Sequence, residues 1–209
     1  QLVFHPNIVR YYGIYVDKTP PSHVHFVLEF VDGGSLFGFL MKIKPSVLSA
    51  NEAADILSGV CRGMAALHSL EPAVVHGDLA TRNVLLARHP TDPTRFVPKV
   101  TDFGLSKVVS RGVHTSYDDP HKIPYKWLPP EVHARRELSP QTDVWSFGIL
   151  AVEVYEAGLV PFGMTSHNLI GPLTKDGFVI DRPERMPEFV WGAARRCWAY
   201  NPADRITFR

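Results

Sequence analysis

The chain has 209 residues, 22 Lys and Arg against 21 Asp and Glu, and a formal net charge of +1, which fits one globular domain or most of a larger one. The hydrophobic fraction of 45% and the charged fraction of 21% exclude a disordered or fibrous chain, and the near-zero charge argues against binding nucleic acid by neutralising its phosphates. Two cysteines are too few for a disulfide framework, which favours a reducing compartment, and no apolar run reaches the roughly 20 residues that span a bilayer.

The first third of the chain changes from strand patterns to a helix pattern. Residues 8–16 and 24–31 are rich in β-branched and aromatic side chains, and turn residues at 17–22 separate them. Ser49 followed by Glu52 is a capping-box signature, which predicts the start of a helix. The apolar residues behind it recur at helical spacing and predict a core-facing side: Ala53, Ile56, Leu57, Val60, Met64 and Leu67.

The rest of the chain is predicted to contain short strands and then helices. Short β runs occur at 84–87 and 99–100, and residues 143–155 are apolar on nearly all sides, which is typical of a buried helix. Prolines are expected to break the last third into helical fragments: Pro161, Pro172, Pro183, Pro187 and Pro202. Strands first and helices after indicate an α+β arrangement.

Three segments carry the residues with catalytic potential. They are His76-Gly77-Asp78-Leu79-Ala80-Thr81-Arg82-Asn83, then Asp102-Phe103-Gly104, then Pro129-Pro130-Glu131. Protein kinases have a catalytic loop H-x-D-L-x-x-x-N, then D-F-G, then A-P-E in the same order. Each segment alone is a weak signal, but the three in sequence are specific. The chain resembles a eukaryotic-type protein kinase from roughly residue 5 to its end.

The resemblance implies ATP and Mg²⁺ as cofactors and a reaction in which the protein supplies positioning and charge compensation. Asp78 would accept or orient the proton of the substrate hydroxyl. Arg82 would place its guanidinium near the γ-phosphate or that hydroxyl. Asn83 and Asp102 would be the metal ligands, because Mg²⁺ prefers hard oxygen atoms.

The resemblance also assigns nucleotide-binding residues. Residues 27–36 resemble the last strand of the small lobe and the hinge of a kinase. The backbone of Glu29 and Val31 would therefore meet the adenine, Leu28 would gate the back pocket, and Leu85 would form the floor of the site. Asp102 would reach the phosphates through the metal.

The implied fold is protein-kinase-like, with a truncated small lobe and a mostly helical large lobe. Residues 1–30 would be the end of the small lobe, 31–36 the hinge, and 37–209 a large lobe without its last helix. The Gly-rich loop, the strand Lys and its Glu partner would precede Gln1, so the fragment alone is expected to be inactive. Within the large lobe, Asp143 would brace the catalytic loop.

Three segments favour tyrosine over serine or threonine as the acceptor. Ala80 stands where serine/threonine kinases usually carry Lys, and the cation lies at Arg82 instead. Residues 123–128 resemble the substrate platform of tyrosine kinases, and residues 197–208 resemble their C-terminal segment, where Arg205 would pair with Glu131. The implied partners are ATP and tyrosine-bearing proteins, and the implied location is cytoplasmic because ATP is intracellular.

One departure from the family pattern, at Gly77, and one further resemblance leave alternatives open. Gly77 replaces the Arg that usually binds a phosphate on the activation loop, so activity is expected to depend little on such a phosphate. Tyr117 is either an autophosphorylation site or an ordinary exposed tyrosine. Residues 30–77 and the insert 88–98 also resemble the regulatory kinase-like domains of Janus kinases, although such domains typically lose the catalytic Asp that is present here as Asp78.

Overall fold

The computed structural model describes residues 4–18, 23–43, 48–92, 94–110, 115–117, 119, 123–175, 177 and 180–208. Residues 19–22 of the predicted turn lie outside this part of the chain. The described elements run from two strands through two helices and four short strands to four helices, so most of the helices lie in the second half. The predicted order of strands first and helices after was too simple, because two of the helices precede the last four strands. Antiparallel strand pairs that are grouped apart from the helices confirm the α+β class.

The strands in the described residues form three antiparallel pairs. These are β1 (Tyr11–Val16) with β2 (Val24–Leu28), β3 (Ala73–Val75) with β6 (Lys107–Val109), and β4 (Val84–Arg88) with β5 (Phe96–Val100). The first predicted strand began too early, because Ile8 and Val9 join β5 instead: the Val9 amide donates to the Val100 carbonyl at 2.9 Å. The second ended too late, since β2 stops at Leu28.

Helices account for most of the remaining described structure. Their bounds are α1 (Leu36–Ile43), α2 (Ala50–His68), α3 (Pro130–Arg135), α4 (Pro140–Tyr155), α5 (His167–Lys175) and α6 (Glu188–Cys197). Short 3₁₀ helices occur at Thr81–Asn83, Phe103–Leu105, Tyr125–Trp127 and Pro202–Asp204. None of the described helices is long and apolar enough to cross a membrane.

Helix α2 begins at the predicted capping box. The Ser49 hydroxyl accepts from the Glu52 amide at 3.3 Å, and the Glu52 carboxylate accepts from the Ser49 amide at 2.8 Å. The reciprocal bonds satisfy two backbone donors that a helix start leaves unpaired. All six residues of the predicted apolar face are buried, which confirms both the helix and its orientation.

Helix α4 lies in the centre of the helical core. Trp145, Ile149 and Leu150 are each at most 1% exposed, and Trp198 donates its ring N–H to the Trp145 carbonyl at 3.3 Å. A helix that is apolar on all sides must be surrounded by other elements, as predicted. Two buried acidic residues of this helix, near its opposite ends, hold the catalytic loop described below.

The prediction that Pro172 breaks a helix was wrong. Pro172 lies inside α5, where it removes one backbone donor. The Thr174 hydroxyl donates to the carbonyls of Ile170 at 2.9 Å and Gly171 at 3.0 Å, which supplies bonds near the proline. Ile170 is fully buried, so packing also holds this helix in place.

Candidate active site

The catalytic loop is attached to α4 by one buried carboxylate. Asp143 accepts hydrogen bonds from the backbone amides of His76 at 2.8 Å and Gly77 at 2.9 Å. His68 contacts the same carboxylate through its Nε2 atom at 2.8 Å. Because Asp143 is 0% exposed, these bonds form away from competing water and fix the backbone that leads into Asp78. The predicted bracing role of Asp143 is confirmed.

The three predicted catalytic residues contact one another directly. Asn83 donates its side-chain amide to the Asp78 carboxylate at 2.8 Å and to the Asp78 carbonyl at 2.7 Å. The Arg82 guanidinium forms an ion pair with the other oxygen of the same carboxylate. Burial raises the pKa of Asp78, and the charge of Arg82 and the bond from Asn83 oppose that rise. The carboxylate is thus fixed in position and partly desolvated, as a group that handles a proton requires.

Arg82 is held in place by Trp127 and, through Trp127, by Glu153, and neither contact was identified from the sequence. Its guanidinium lies 4.3 Å from the centre of the Trp127 ring, and the Trp127 indole donates to Glu153 at 3.0 Å. Glu153 also accepts from the Thr81 amide at 3.1 Å and the Thr81 hydroxyl at 3.0 Å. Burial raises the pKa of Glu153, which is 3% exposed. An acidic residue inside the apolar stretch 143–155 was the signal that could have identified it.

The two predicted metal ligands lie on adjacent, hydrogen-bonded segments. The Thr101 amide donates to the Asn83 carbonyl at 3.0 Å, which places the start of the Asp102 segment beside the catalytic loop. Asp102 has a left-handed backbone (φ 62°), and its side chain accepts from the Gly104 amide at 3.2 Å. Phe103 packs against His76 with ring centres 5.2 Å apart, while Asp102 remains exposed.

The donor chemistry of this pair fits Mg²⁺. Both hydrogen bonds from the Asn83 side chain use its Nδ2 atom, so Oδ1 has no protein donor among the described residues. Asp102 adds an exposed carboxylate. One amide oxygen and one carboxylate are hard ligands of the type that Mg²⁺ takes while it retains several waters.

The predicted adenine-side residues lie around a salt bridge that the sequence did not indicate. Glu29 pairs with Lys99 at 3.0 Å, and Lys99 lies opposite Leu85 in the β4–β5 register. This link connects the residue after β2 to β5, the partner of the strand β4 that carries Leu85. Leu28 is 48% exposed, whereas Val31 is buried. Within the described residues, the Glu29 carbonyl and the Val31 amide form no hydrogen bond.

The predicted structural ion pair of the helical part is present. Arg205 donates two hydrogen bonds to Glu131, at 2.7 and 2.8 Å, and its side chain is fully buried. The planar guanidinium fits the carboxylate in a bidentate arrangement. This confirms the pairing of Glu131 with Arg205.

Tyr117 is not the exposed residue that one reading of the sequence expected. Its side chain is 8% exposed and its hydroxyl donates to the Gly77 carbonyl. The ring belongs to a small apolar cluster of buried residues, which are Tyr117, Ile123, Leu128, Val132 and Leu138. Sequence reasoning missed this contact because the two residues are far apart in the chain.

Comparisons with known proteins identify the family of the chain. Residues 1–209 match the family model described as protein tyrosine and serine/threonine kinase. The chain is 35% identical over 204 residues to the tyrosine-protein kinase transforming protein Fps of avian sarcoma virus (strain PRCII), covering 98% of this chain and 36% of that protein. The Fps protein of Fujinami sarcoma virus is also 35% identical over 98% of the chain and 22% of its own length.

A third relative comes from an animal. The tyrosine-protein kinase abl-1 of Caenorhabditis elegans is 32% identical over 206 residues, which are 98% of this chain and 16% of that kinase. The chain thus spans about a third or less of the length of these relatives. They support the prediction of a tyrosine kinase catalytic domain and give the regulatory alternative no support. The chain belongs to the protein tyrosine and serine/threonine kinase family, and the fold described above is its protein-kinase-like fold.

Proposed function

We propose that the protein containing this chain transfers the γ-phosphoryl group of ATP to tyrosine hydroxyls of protein substrates. The observation that carries the proposal is the pairing of the Asp78 carboxylate with both Arg82 and Asn83 in a loop fixed by Asp143. Phosphoryl transfer depends mainly on positioning and charge compensation, and this loop supplies both.

Asp78 is the group that orients the acceptor hydroxyl. Its carboxylate is held from two sides, so it keeps one direction without bound substrate. It accepts or orients the proton of the hydroxyl as the hydroxyl attacks phosphorus. Arg82 lies beside this carboxylate and is close enough to the same reaction space to interact with the incoming phosphoryl oxygens.

Asn83 and Asp102 are the residues that would hold Mg²⁺. The Asn83 Oδ1 atom and the Asp102 carboxylate supply the hard oxygens, and the Thr101–Asn83 backbone bond sets their spacing. Mg²⁺ held by these residues would supply positive charge that offsets the negative charge developing on the phosphoryl group during transfer. We therefore expect substitution of either residue to raise the Mg²⁺ concentration that half-maximal activity requires.

The adenine site lies between β2 and β4. The Glu29 carbonyl and the Val31 amide offer one acceptor and one donor to the base, and Leu85 and Leu28 supply apolar contacts. In this proposal residues 1–30 belong to the small lobe, 31–36 form the hinge and 37–209 form the large lobe. ATP as the donor also favours a cytoplasmic location.

Tyrosine as the acceptor is supported by the platform beside Asp78. The Trp127 ring and Arg82 are stacked next to the catalytic loop, and residue 80 is Ala rather than Lys. No Lys side chain therefore extends from position 80 toward the reacting groups. The cation beside Asp78 is therefore that of Arg82.

The proposal is tested by phosphate transfer to matched Tyr and Ser peptides with ATP and Mg²⁺, using the full-length protein. Asp78→Asn is the catalytic variant, and Asp55→Asn on the exposed side of α2 is the matched control. We expect transfer to Tyr, loss of transfer in Asp78→Asn, and no change in Asp55→Asn. Transfer to Ser alone would exclude the tyrosine assignment. A folded protein that binds nucleotide and transfers nothing would favour the regulatory alternative.

A further inference from the structure

Gly77, the residue before Asp78, is hydrogen-bonded at both of the peptide groups that flank its Cα. The Gly77 amide donates to Asp143 at 2.9 Å, and the Gly77 carbonyl accepts from the Tyr117 hydroxyl. Asp143 belongs to α4, whereas Tyr117 belongs to the segment between Asp102 and Glu131. Gly77 therefore connects two separate parts of the chain, helix α4 and the segment that contains Tyr117.

We propose that Tyr117 is a positioning residue for catalysis, and that its unmodified hydroxyl joins the segment 115–117 to the catalytic loop through the Gly77 carbonyl. The hydrogen bond fixes the orientation of the peptide that leads into Asp78. Asp143 restrains the N–H side and Tyr117 restrains the C=O side. Loss of the second restraint leaves the loop attached but less well oriented.

Gly77 has the conformation and the space that this contact requires. Its φ is +76°, a region that glycine adopts without strain and other residues rarely do. A side chain would place its Cβ 3.1 Å from the Leu105 carbonyl oxygen and 3.7 Å from the Tyr117 ring and hydroxyl. A larger residue at position 77 would therefore be strained by its backbone conformation and would press on Leu105, while its Cβ would lie in van der Waals contact with Tyr117. Gly77 and Tyr117 thus form a matched pair.

The surroundings keep Tyr117 in place and keep its hydroxyl away from solvent. Its ring packs with Ile123, Leu128 and Leu138, and Thr115 exchanges backbone hydrogen bonds with Leu138 at 2.7 and 3.4 Å. Burial raises the pKa of the Tyr117 hydroxyl, and the nearby carboxylates of Asp143 and Asp78 add to the rise. The hydroxyl is therefore a proton donor at every physiological pH.

The contact also changes what phosphorylation at this position would do. A phosphate on Tyr117 has no room at the Gly77 carbonyl and would face the charges of Asp78 and Asp143. The phosphorylated side chain must leave the apolar cluster, which removes the restraint on the loop. Phosphorylation of Tyr117 is therefore expected to lower activity rather than to raise it.

The test compares Tyr117→Phe with Tyr155→Phe in the full-length protein. Tyr117→Phe removes only the hydroxyl that bonds Gly77. Tyr155→Phe removes another buried hydroxyl, which has no hydrogen-bond partner among the described residues, and serves as the matched control. The measurements are kcat and KM for a Tyr peptide, KM for ATP, and amide hydrogen exchange in peptides that cover residues 74–80.

We expect Tyr117→Phe to lower kcat about fivefold, the equivalent of one neutral hydrogen bond, with little change in KM for ATP. Exchange in residues 74–80 should become faster in Tyr117→Phe and stay unchanged in Tyr155→Phe. Unchanged exchange and kcat in Tyr117→Phe would overturn the proposal.

The kinetic measurement rests on the proposed function, but the exchange measurement does not. If the wild-type protein transfers no phosphate, the proposed function fails. Faster exchange in Tyr117→Phe would then still establish the tether, and unchanged exchange would exclude it.

Discussion

The Arg82 guanidinium lies over the Trp127 ring, with its Cζ atom 4.3 Å from the ring centre, while it pairs with Asp78. A long cationic side chain loses considerable rotamer freedom when it is fixed. The indole supplies a surface that limits its positions before substrate binds. The position of the ring depends in turn on its bond to Glu153, so the orientation of Arg82 rests on a residue of the buried helix α4.

Substitutions of Glu153 test this dependence. Glu153→Met leaves the Thr81 and Trp127 donors without an acceptor in the interior, so we expect the free energy of unfolding to fall by about 2–4 kcal/mol and kcat to fall at least tenfold. Glu153→Gln retains an acceptor oxygen, and its amide can donate to the Thr81 hydroxyl. The uncharged amide also avoids the cost of burying a charge, the same burial that raises the pKa of Glu153. The free energy of unfolding of Glu153→Gln should therefore stay within about 1 kcal/mol of wild type. Urea unfolding and kcat of both variants check this, and equal losses would contradict it.

Asp78→Asn separates activity from stability. We expect kcat to fall by about 10²–10⁴, because the amide accepts no proton from the hydroxyl. Since burial raises the pKa of Asp78, ionising this carboxyl costs more free energy in the folded state than in the unfolded state. At neutral pH this difference lowers the stability of the wild-type protein. The melting temperature of Asp78→Asn should therefore be equal to or higher than that of wild type. A marked loss of stability would show that the ion pair with Arg82 outweighs desolvation.

The raised pKa of Asp78 also predicts that this carboxyl titrates at a higher pH than an exposed aspartate does. The active form of Asp78 is the ionised one, and burial raises its pKa above the ordinary value of about 3.9. On acidification Asp78 should take up a proton before ordinary exposed aspartates do. Carboxyl-carbon NMR of the wild-type protein measures this directly, and the Asp78→Asn spectrum assigns the signal. A titration at or below the ordinary range would contradict the effect of burial.

The pairing of Arg205 with Glu131 should matter for stability rather than for chemistry. Arg205→Met leaves a buried carboxylate without its partner, and we expect it to destabilise the protein by about 3–5 kcal/mol. Arg135→Met removes an exposed pair with Glu137 and should change stability by less than about 1 kcal/mol. Denaturant unfolding of the two variants compares a buried pair with an exposed one. Similar losses would mean that burial does not decide the contribution.

The sequence predicted a helix correctly where a short capping motif or a continuous apolar composition marks it. The Ser49–Glu52 cap is a contact between neighbours in the chain, so both of its residues are visible in a short window. The burial of residues 143–155 followed from their composition alone. Helix α1 was not predicted, because it has only eight residues and directly follows the glycine-containing stop at 32–35. The break predicted at Pro172 did not occur, because packing of the fully buried Ile170 holds α5 in place across the proline.

The sequence likewise predicted the site residues that lie within one motif and missed those that contact the motif from elsewhere in the chain. Asp78, Arg82 and Asn83 lie in one short motif, and the structure brings them into direct contact. Glu153 and Tyr117 act on that motif from distant parts of the chain, and neither residue belongs to a recognised motif. Contacts of this kind follow from the packing of α4 and of the segment 115–117, which periodicity and spacing do not specify.

Helix α4 fixes the catalytic loop at two points. Asp143 near one end holds Gly77, and Glu153 near the other end holds Thr81, with a rise of about 15 Å between them along an ideal helix. An inserted or deleted residue within this helix would turn one carboxylate about 100° away from its partner. The segment between the two carboxylates therefore accepts no change of length. Its packing is constrained as well, because a side chain at Gly148 would place its Cβ 2.5 Å from the Trp198 ring nitrogen. The shape of the catalytic loop thus depends on the spacing of two carboxylates along a helix that also has to fit the core.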